Sequence, residues 1–261
     1  MLLVCDVGNT ETTIGVADST TIVAHWRVMT SVTRTPHEFA LTLRALLDLD
    51  GLPHGHITAA AIGSVVPSIT ALLVEGVRLA FGVTSLVIDA SSPLPITLDV
   101  EEPQTVGADR IINTLAASRL YAQDCIVVDL GTATTYDCIT RDGVFLGGVI
   151  APGVLTSLET LTRRTSKLPA TELRAPERVL GRRTEECIRS GVVFGAVDAI
   201  TGIVARLRAE WPTERQPIVI GTGGLASMLQ PHCPVLALVD PDLTLRGLQL
   251  AHALLSQAPS K

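Results

Sequence analysis

Leu2-Leu3-Val4-Cys5-Asp6-Val7-Gly8-Asn9-Thr10 opens the chain as an apolar run closed by an acid, a glycine and a hydroxyl, and it leads at once into Thr12-Thr13-Ile14-Gly15-Val16-Ala17. Half a chain later the pattern returns as Ile126-Val127-Val128-Asp129-Leu130-Gly131-Thr132-Ala133-Thr134, followed by Thr135-Tyr136-Asp137-Cys138-Ile139. Short β-branched runs broken by a glycine read as strands, so each copy is a strand, a tight tip and a returning strand. Two such hairpins predict an α/β chain built from a duplicated domain, with a cleft between the halves. Each tip carries one carboxylate, a glycine that lets backbone approach a ligand, and hydroxyls able to donate to phosphate oxygens. That set suits a nucleotide triphosphate and its metal, although any single Asp-Gly pair is also an ordinary turn whose carboxylate caps its own backbone.

The pattern extends outward from both hairpins. A third strand is expected at Ile22–Met29, and Thr35-Pro36-His37-Glu38 spells a capping box for a helix whose stripe is Phe39, Leu43, Leu46 and Leu47. Buried strands follow at Ala59–Val65 and Leu86–Ile88, around a helix near Ser68–Ala80. The second half repeats the order, with Arg141-Asp142-Gly143 as the turn into a third strand at Val144–Ile150, a long helix from Thr184 to Arg208, a strand at Ile218–Ile220 and another at Val235–Val239. A last helix near Leu245–Leu255 closes the second half, before a short tail at Ala258–Lys261. Pro93, Pro95, Pro103 and Gly107 mark the irregular join, which places the boundary near residue 117: a first domain of residues 1–117 and a second of residues 118–261.

Composition narrows the partners. The chain has 261 residues and a net charge of −6, with only 3% aromatics, so neither a phosphate-tracking basic face nor a base-stacking platform is present and nucleic acid is not an expected partner. Cys5, Cys125, Cys138, Cys187 and Cys233 are odd in number and lack a Cys-x-x-Cys pair, which reads as buried thiols in a reducing compartment. No basic leader precedes the first strand and no apolar run approaches about eighteen residues, so a cytoplasmic protein without a membrane partner is expected.

Lysine occurs only at Lys167 and Lys261, and Gly-Lys-[Ser/Thr] is absent, which excludes a P-loop. Phosphate charge must then be met by backbone N–H groups, hydroxyls, arginine and a divalent ion, and carboxylates such as Asp6 and Asp129 hold the ion or its waters. Gly221-Thr222-Gly223-Gly224-Leu225-Ala226 matches a dinucleotide fingerprint, with Asp240 ending the next strand. A Rossmann half needs a further strand and crossover beyond Asp240, so a loop against the base or ribose is the better reading. Gly107-Ala108-Asp109-Arg110 opens a helix with Ile111, Ile112, Leu115 and Ala116 on its core face. Alone, the acid and arginine read as a capping carboxylate and a surface cation; with a nucleotide in the cleft, Asp109 becomes a candidate general base for an acceptor hydroxyl. His54-Gly55-His56 and Arg163-Arg164 read as a solvated loop and a surface pair.

Taken together, Asp6-Val7-Gly8-Asn9-Thr10, Val106 to Asn113, Asp129 to Thr134, Gly147 to Gly153, Gly181-Arg182-Arg183-Thr184 and Thr222-Gly223-Gly224 resemble the type III pantothenate kinases, which belong to the actin, sugar-kinase and heat-shock ATPase-like superfamily. The resemblance implies two ribonuclease H-like (actin-like ATPase) domains and ATP-dependent phosphorylation of pantothenate to 4′-phosphopantothenate, the first step of coenzyme A biosynthesis. It implies that Asp6, Val7, Gly8, Asn9, Thr10, Glu11, Thr12, Thr13 and Thr132 contact ATP; on the reading of the residues, Mg2+ is expected near Asp6, directly or through water. Asp129 then holds a monovalent cation, K+ or NH4+, and Asp109 is the proton acceptor. Gly107, Ala108, Asp109 and Arg110 line the pantothenate pocket, and Thr184 reaches it from the second copy of a homodimer. Val100 stands where the family often has a tyrosine near the substrate, and it cannot hydrogen-bond there. The rival readings are a different kinase or phosphatase on the same fold, acting on a sugar or carboxylic acid, and an actin-like ATP-binding accessory protein without kinase turnover.

Overall fold

β1 (Leu2–Val7) and β2 (Glu11–Ala17) form the first hairpin, antiparallel, with Asp6 opposite Thr13. β7 (Cys125–Leu130) and β8 (Ala133–Ile139) form the second, with Asp129 opposite Thr135. The computed structural model describes residues 1–256 and divides into two compact units, Met1–Ala116 with the segment from Asp242, and Ala117–Pro241. The Ala258–Lys261 tail lies outside the described residues.

In the first unit, β3 (Ile22–Met29), β4 (Ala59–Ser64) and β5 (Ser85–Ile88) complete a sheet in the order β3-β2-β1-β4-β5, with β4 parallel to both β1 and β5. A short strand, β6 (Thr97–Leu98), lies in the proline-rich stretch that follows. α1 (Pro36–Leu49) starts at the expected capping box, where the Thr35 N–H donates to Glu38 Oε2 at 2.7 Å and Thr35 Oγ1 accepts from the Glu38 N–H. α2 (Pro67–Phe81) carries the chain from β4 to β5.

Side chains on a strand alternate between faces, and β1 uses both. Leu3, Cys5 and Val7 pack with Phe39, Leu43 and Leu73 on the α1 and α2 side. Leu2 and Val4 pack with Ile111, Ile112 and Leu115 of α3 (Ala108–Tyr121), and with Leu245 and Leu248 of α7 (Leu243–Ser256). Asp6 is the next member of that second series, so the sheet's own period turns its carboxylate toward the face that carries α3.

The second unit repeats the plan with β9 (Val144–Pro152), β10 (Ile218–Thr222) and β11 (Leu238–Val239), in the order β11-β10-β7-β8-β9. α4 (Val154–Arg164) and α5 (Thr184–Ala209) fill the place of α1, and α6 (Ala226–Leu229) that of α2. Ile126, Val128 and Leu130 pack with Val193, Val197 and Ile200 of α5, which leaves Asp129 on the opposite face. The repetition reaches down to an irregularity: the register shifts between Val16 and Ala17 in β2, and at the matching point between Cys138 and Ile139 in β8.

Four features differ from the reading of the sequence. The last helix, grouped there with the second half, packs on the first unit, because Leu245, Leu248 and Ala251 form a stripe that covers Leu2 and Val4. α5 is long and apolar enough to cross a membrane by length and composition, contrary to the expectation that no run is. Among its buried residues, Val193, Val197, Ile200 and Val204 supply part of the core of the second unit. α4 was not anticipated. Among the cysteines, all free, Cys187 is exposed while the other four are buried, and burial pushes the Cys5 and Cys125 thiols up to about 12.

Candidate active site

The first tip is a four-residue turn between Val7 and Thr12, closed by the Gly8 N–H donating to Glu11 O at 3.0 Å. Thr30, just past β3, braces it: its N–H donates to Thr10 O at 2.8 Å and its Oγ1 donates to Gly8 O at 2.8 Å, while the two hydroxyls of Thr12 and Thr30 share a hydrogen bond of 2.9 Å. Of the residues expected to meet ATP, Asn9, Thr10 and Glu11 are exposed, Asp6, Gly8 and Thr13 half-buried, and Val7 and Thr12 buried. Val7 belongs to the core and the Thr12 hydroxyl is committed to Thr30, so these two shape the turn from beneath. The Glu11 carboxylate pairs with Arg27 at 3.7 Å.

Asp109 is the second residue of α3 and lies in the same unit as this tip. Its Oδ1 accepts from the Arg110 N–H at 2.8 Å. Burial pushes its pKa up from the ordinary aspartate value, against the opposing pull of the Arg110 N–H and the Arg110 charge. Gly107 makes this seat possible: a Cβ there would stand 2.5 Å from Asp109 Oδ1 and 3.3 Å from Val65 Cγ1. Val65 in turn donates its N–H to Val7 O at 3.1 Å, so one residue touches both the tip and the loop that carries the acid. A carboxylate kept partly dry at a helix start is a stronger base than an ordinary aspartate.

The second tip is shorter, three residues between Leu130 and Thr134, with the Gly131 N–H donating to Ala133 O at 3.1 Å. Its brace comes from the corner between β9 and α4: the Gly153 N–H and Thr156 Oγ1 both donate to Thr132 O, at 3.1 and 2.7 Å. Asp129 Oδ1 occupies the place a Cβ on Gly223 would need, and that Cβ would also lie 2.8 Å from the Leu130 nitrogen. With φ of +84°, Gly223 is in the left-handed region that glycine alone enters without strain. A carboxylate in such a turn is an oxygen donor of the kind that suits a hard cation, such as potassium, or magnesium that keeps its waters. Among the described residues, no three His, Cys, Asp or Glu gather closely enough to hold a metal by themselves.

Thus Gly107 is brought beside Val65 and, through it, near Val7, with Asp109 on the same glycine, while Asp129 is brought against Gly223. Thr184 opens α5 as an exposed residue. A cavity of about 480 Å³ in the second unit, lined by Tyr136, Val154, Leu161, Ile188 and Val192, contains none of the expected site residues. Val65, Thr30 and Thr156 were not singled out from the sequence. The one available signal was Pro67, which marks the first turn of α2 and so places Ser64-Val65-Val66 at a strand end.

With this geometry in view, comparison with known proteins is decisive. The family described as type III pantothenate kinase matches residues 2–206. A protein named type III pantothenate kinase from Halalkalibacterium halodurans is 42% identical over 97% of this chain and 98% of its own length. A protein of the same name from Rhizorhabdus wittichii is 42% identical over 99% of this chain and all of its own. Among solved structures, a protein described as a 2-dehydro-3-deoxygalactonokinase from Sinorhizobium meliloti superposes with a TM-score of 0.61 at 15% identity, over 100% of this chain and 98% of that one. At that identity the likeness shows the fold alone, two ribonuclease H-like domains of the sugar-kinase and actin-like ATPase type. The chain belongs to the type III pantothenate kinase family.

Proposed function

We infer that this protein transfers the γ-phosphoryl group of ATP to pantothenate, giving 4′-phosphopantothenate and ADP at the start of coenzyme A biosynthesis. Membership of the family supports the substrate. The observation that carries the chemistry is Asp109, held at the start of α3 with its pKa raised by burial and linked through Val65 to the turn at Val7 and Gly8.

In the mechanism, the backbone of Gly8, Asn9 and Thr10 cradles phosphate oxygens, and Thr132 adds a further contact. The pantothenate hydroxyl loses its proton to the Asp109 carboxylate as its oxygen bonds to the γ-phosphorus. The bond from that phosphorus to the bridging oxygen breaks, and ADP leaves with the electron pair. Arg110, the neighbouring cation, steadies the substrate carboxylate or the developing charge, and Gly107 and Ala108 line the acceptor pocket. Positioning and electrostatics supply most of the acceleration, as is general for phosphoryl transfer. Asp6 would hold magnesium, directly or through water, and Asp129 potassium or ammonium; when bound, these ions neutralise phosphate charge. The protein acts as a homodimer in this proposal, with Thr184, exposed at the start of α5, entering the pantothenate pocket of the second copy. The protein is assigned to the cytoplasm.

A coupled assay with ATP, Mg2+, K+ and pantothenate tests the proposal. Stoichiometric ADP and 4′-phosphopantothenate are expected. Nucleotide binding with no phosphorylated product would overturn it in favour of an ATP-binding accessory protein.

A further inference from the structure

We propose that Val65 is a positioning residue for this phosphoryl transfer: it ties the nucleotide-side turn to the Gly107–Asp109 loop and shields the Asp109 carboxylate from water. The inference rests on Asp109 being the general base.

Three observations carry it. Val65 is fixed at the backbone, because its N–H donates to Val7 O at 3.1 Å, immediately before the Gly8 turn. The bend that delivers it is closed locally, with the Val66 N–H donating to Ser64 Oγ at 3.1 Å and Pro67 starting α2. Its Cγ1 lies 3.3 Å from where a Cβ on Gly107 would stand, and that same point is 2.5 Å from Asp109 Oδ1. The valine methyl and the acid thus both approach the space that a side chain on Gly107 would fill. Val65 is therefore the residue placed to link the strand end before the Gly8 turn with the loop that carries Asp109.

The duplication gives the comparison that makes Val65 specific. Asp6 pairs with Gly63 across β1 and β4, and Asp129 pairs with Thr222 across β7 and β10. Counting on from those partners, Ser64-Val65 in the first unit answers to Gly223-Gly224 in the second. The second unit thus has a glycine where the first has a β-branched side chain. Only the first unit has a base to position. The Arg110 guanidinium is the charged group that acts on Asp109, and burial outweighs it. Replacing an apolar wall by a hydroxyl favours the ionised carboxylate and so lowers its pKa.

The test compares the full-length kinase with Val65→Thr, Val65→Ile and Asp109→Asn, reading kcat and kcat/KM for pantothenate against pH. The acid limb of kcat/KM reports the base in the free enzyme. For Val65→Thr the limb is expected to move to lower pH by about half a unit to one unit, with kcat at its plateau lower by about 2- to 10-fold because the base is weaker. Val65→Ile should keep the limb where it is and recover most of kcat. Should Val65→Thr fail to fold, Val65→Ala carries the same expectation, since it also admits water. An acid limb unchanged in Val65→Thr or Val65→Ala, with Asp109→Asn inactive, overturns the role of Val65 and leaves the base assignment intact. Parent-like turnover in Asp109→Asn overturns the base assignment, and this inference with it.

Discussion

The two hairpin tips share a register, an acid at the penultimate position of the first strand and a glycine two residues later, yet their surroundings equip them for different work. The first is longer by one residue, exposes Asn9, Thr10 and Glu11, and stands next to a strand end that carries Val65 and touches the loop of Asp109. The second is tighter and faces Gly223, whose missing side chain makes room for Asp129. Duplication supplied one phosphate-compatible turn twice. In the proposed mechanism, neighbouring loops then fit one copy for proton transfer and the other for a cation. The same contrast appears one helix further on: the second residue of α3 is Asp109, whereas the second residue of α7 is Thr244, whose hydroxyl donates to Asn113 Oδ1 at 2.9 Å.

The strongest way to break this comparison is to remove the group that has no counterpart in the other copy. Asp109→Asn keeps the shape and an acceptor for the Arg110 N–H but cannot take a proton. Turnover is expected to fall by roughly 10²- to 10⁴-fold, with the dissociation constant for ATP nearly unchanged. Steady-state rates paired with a nucleotide titration read both quantities. Parent-like turnover would mean that the first copy is not the one fitted for proton transfer.

Gly223→Ala attacks the other copy. The added methyl meets Asp129 Oδ1 and the Leu130 backbone, and the residue must keep a φ of +84°. A loss of about 1–3 kcal/mol in folding stability is expected from strain alone. Stimulation by potassium over sodium should fade in the same variant, while in the parent the exchange of potassium for sodium lowers activity. Chemical denaturation and a cation series measure the two effects. If the parent itself responds equally to both ions, Asp129 loses its assignment.

The braces sharpen the comparison at smaller scale. Thr30 is half-buried and bridges Gly8 O and the Thr12 hydroxyl, so Thr30→Val strands two polar groups near the first tip. Thr156 makes one exposed bond to Thr132 O, where water can replace it. Thr30→Val is expected to cost about 1–2 kcal/mol and to raise the KM for ATP several-fold, and Thr156→Val less than about 1 kcal/mol. Equal effects from the two would argue that exposure does not separate the tips.

Much of this was legible because hairpins are local. An apolar strand, Asp-x-Gly and a returning strand lie within about fifteen residues, and the pairing between Asp6 and Thr13 follows from the turn length alone. The capping box at Thr35 and Glu38 was legible for the same reason. What the chain order conceals is destination. The Leu245, Leu248 and Ala251 stripe announces a buried helix face but does not say which sheet it covers, so α7 reads naturally with the half that precedes it. α4 escaped because Thr156, Thr160 and Thr162 dilute its helical signal, although Val154 and Leu158 have the right spacing. At the site, Asp109 could be named from its motif, but the approach of Val65 to Gly107 beside it joins residues more than forty positions apart. No local pattern links the two.

The smallest expected effect separates position from chemistry at Asp109. Burial disfavours its charged form in the folded state, so its folded pKa lies above the unfolded one. By linkage the folded state binds the proton more tightly, and ionisation costs stability as pH rises through the folded pKa. Asn at this position carries no charge at any pH. Asp109→Asn, the least active variant, is therefore expected to be the more stable one, with Tm raised by a few degrees at pH 7 to 8 in the absence of nucleotide. The gain should shrink as pH falls through the folded pKa and disappear below the ordinary aspartate range, which thermal melts across pH 3.5 to 8 would follow. A Tm difference independent of pH would assign the change to packing and not to the buried charge, and would remove the electrostatic contrast between the two copies.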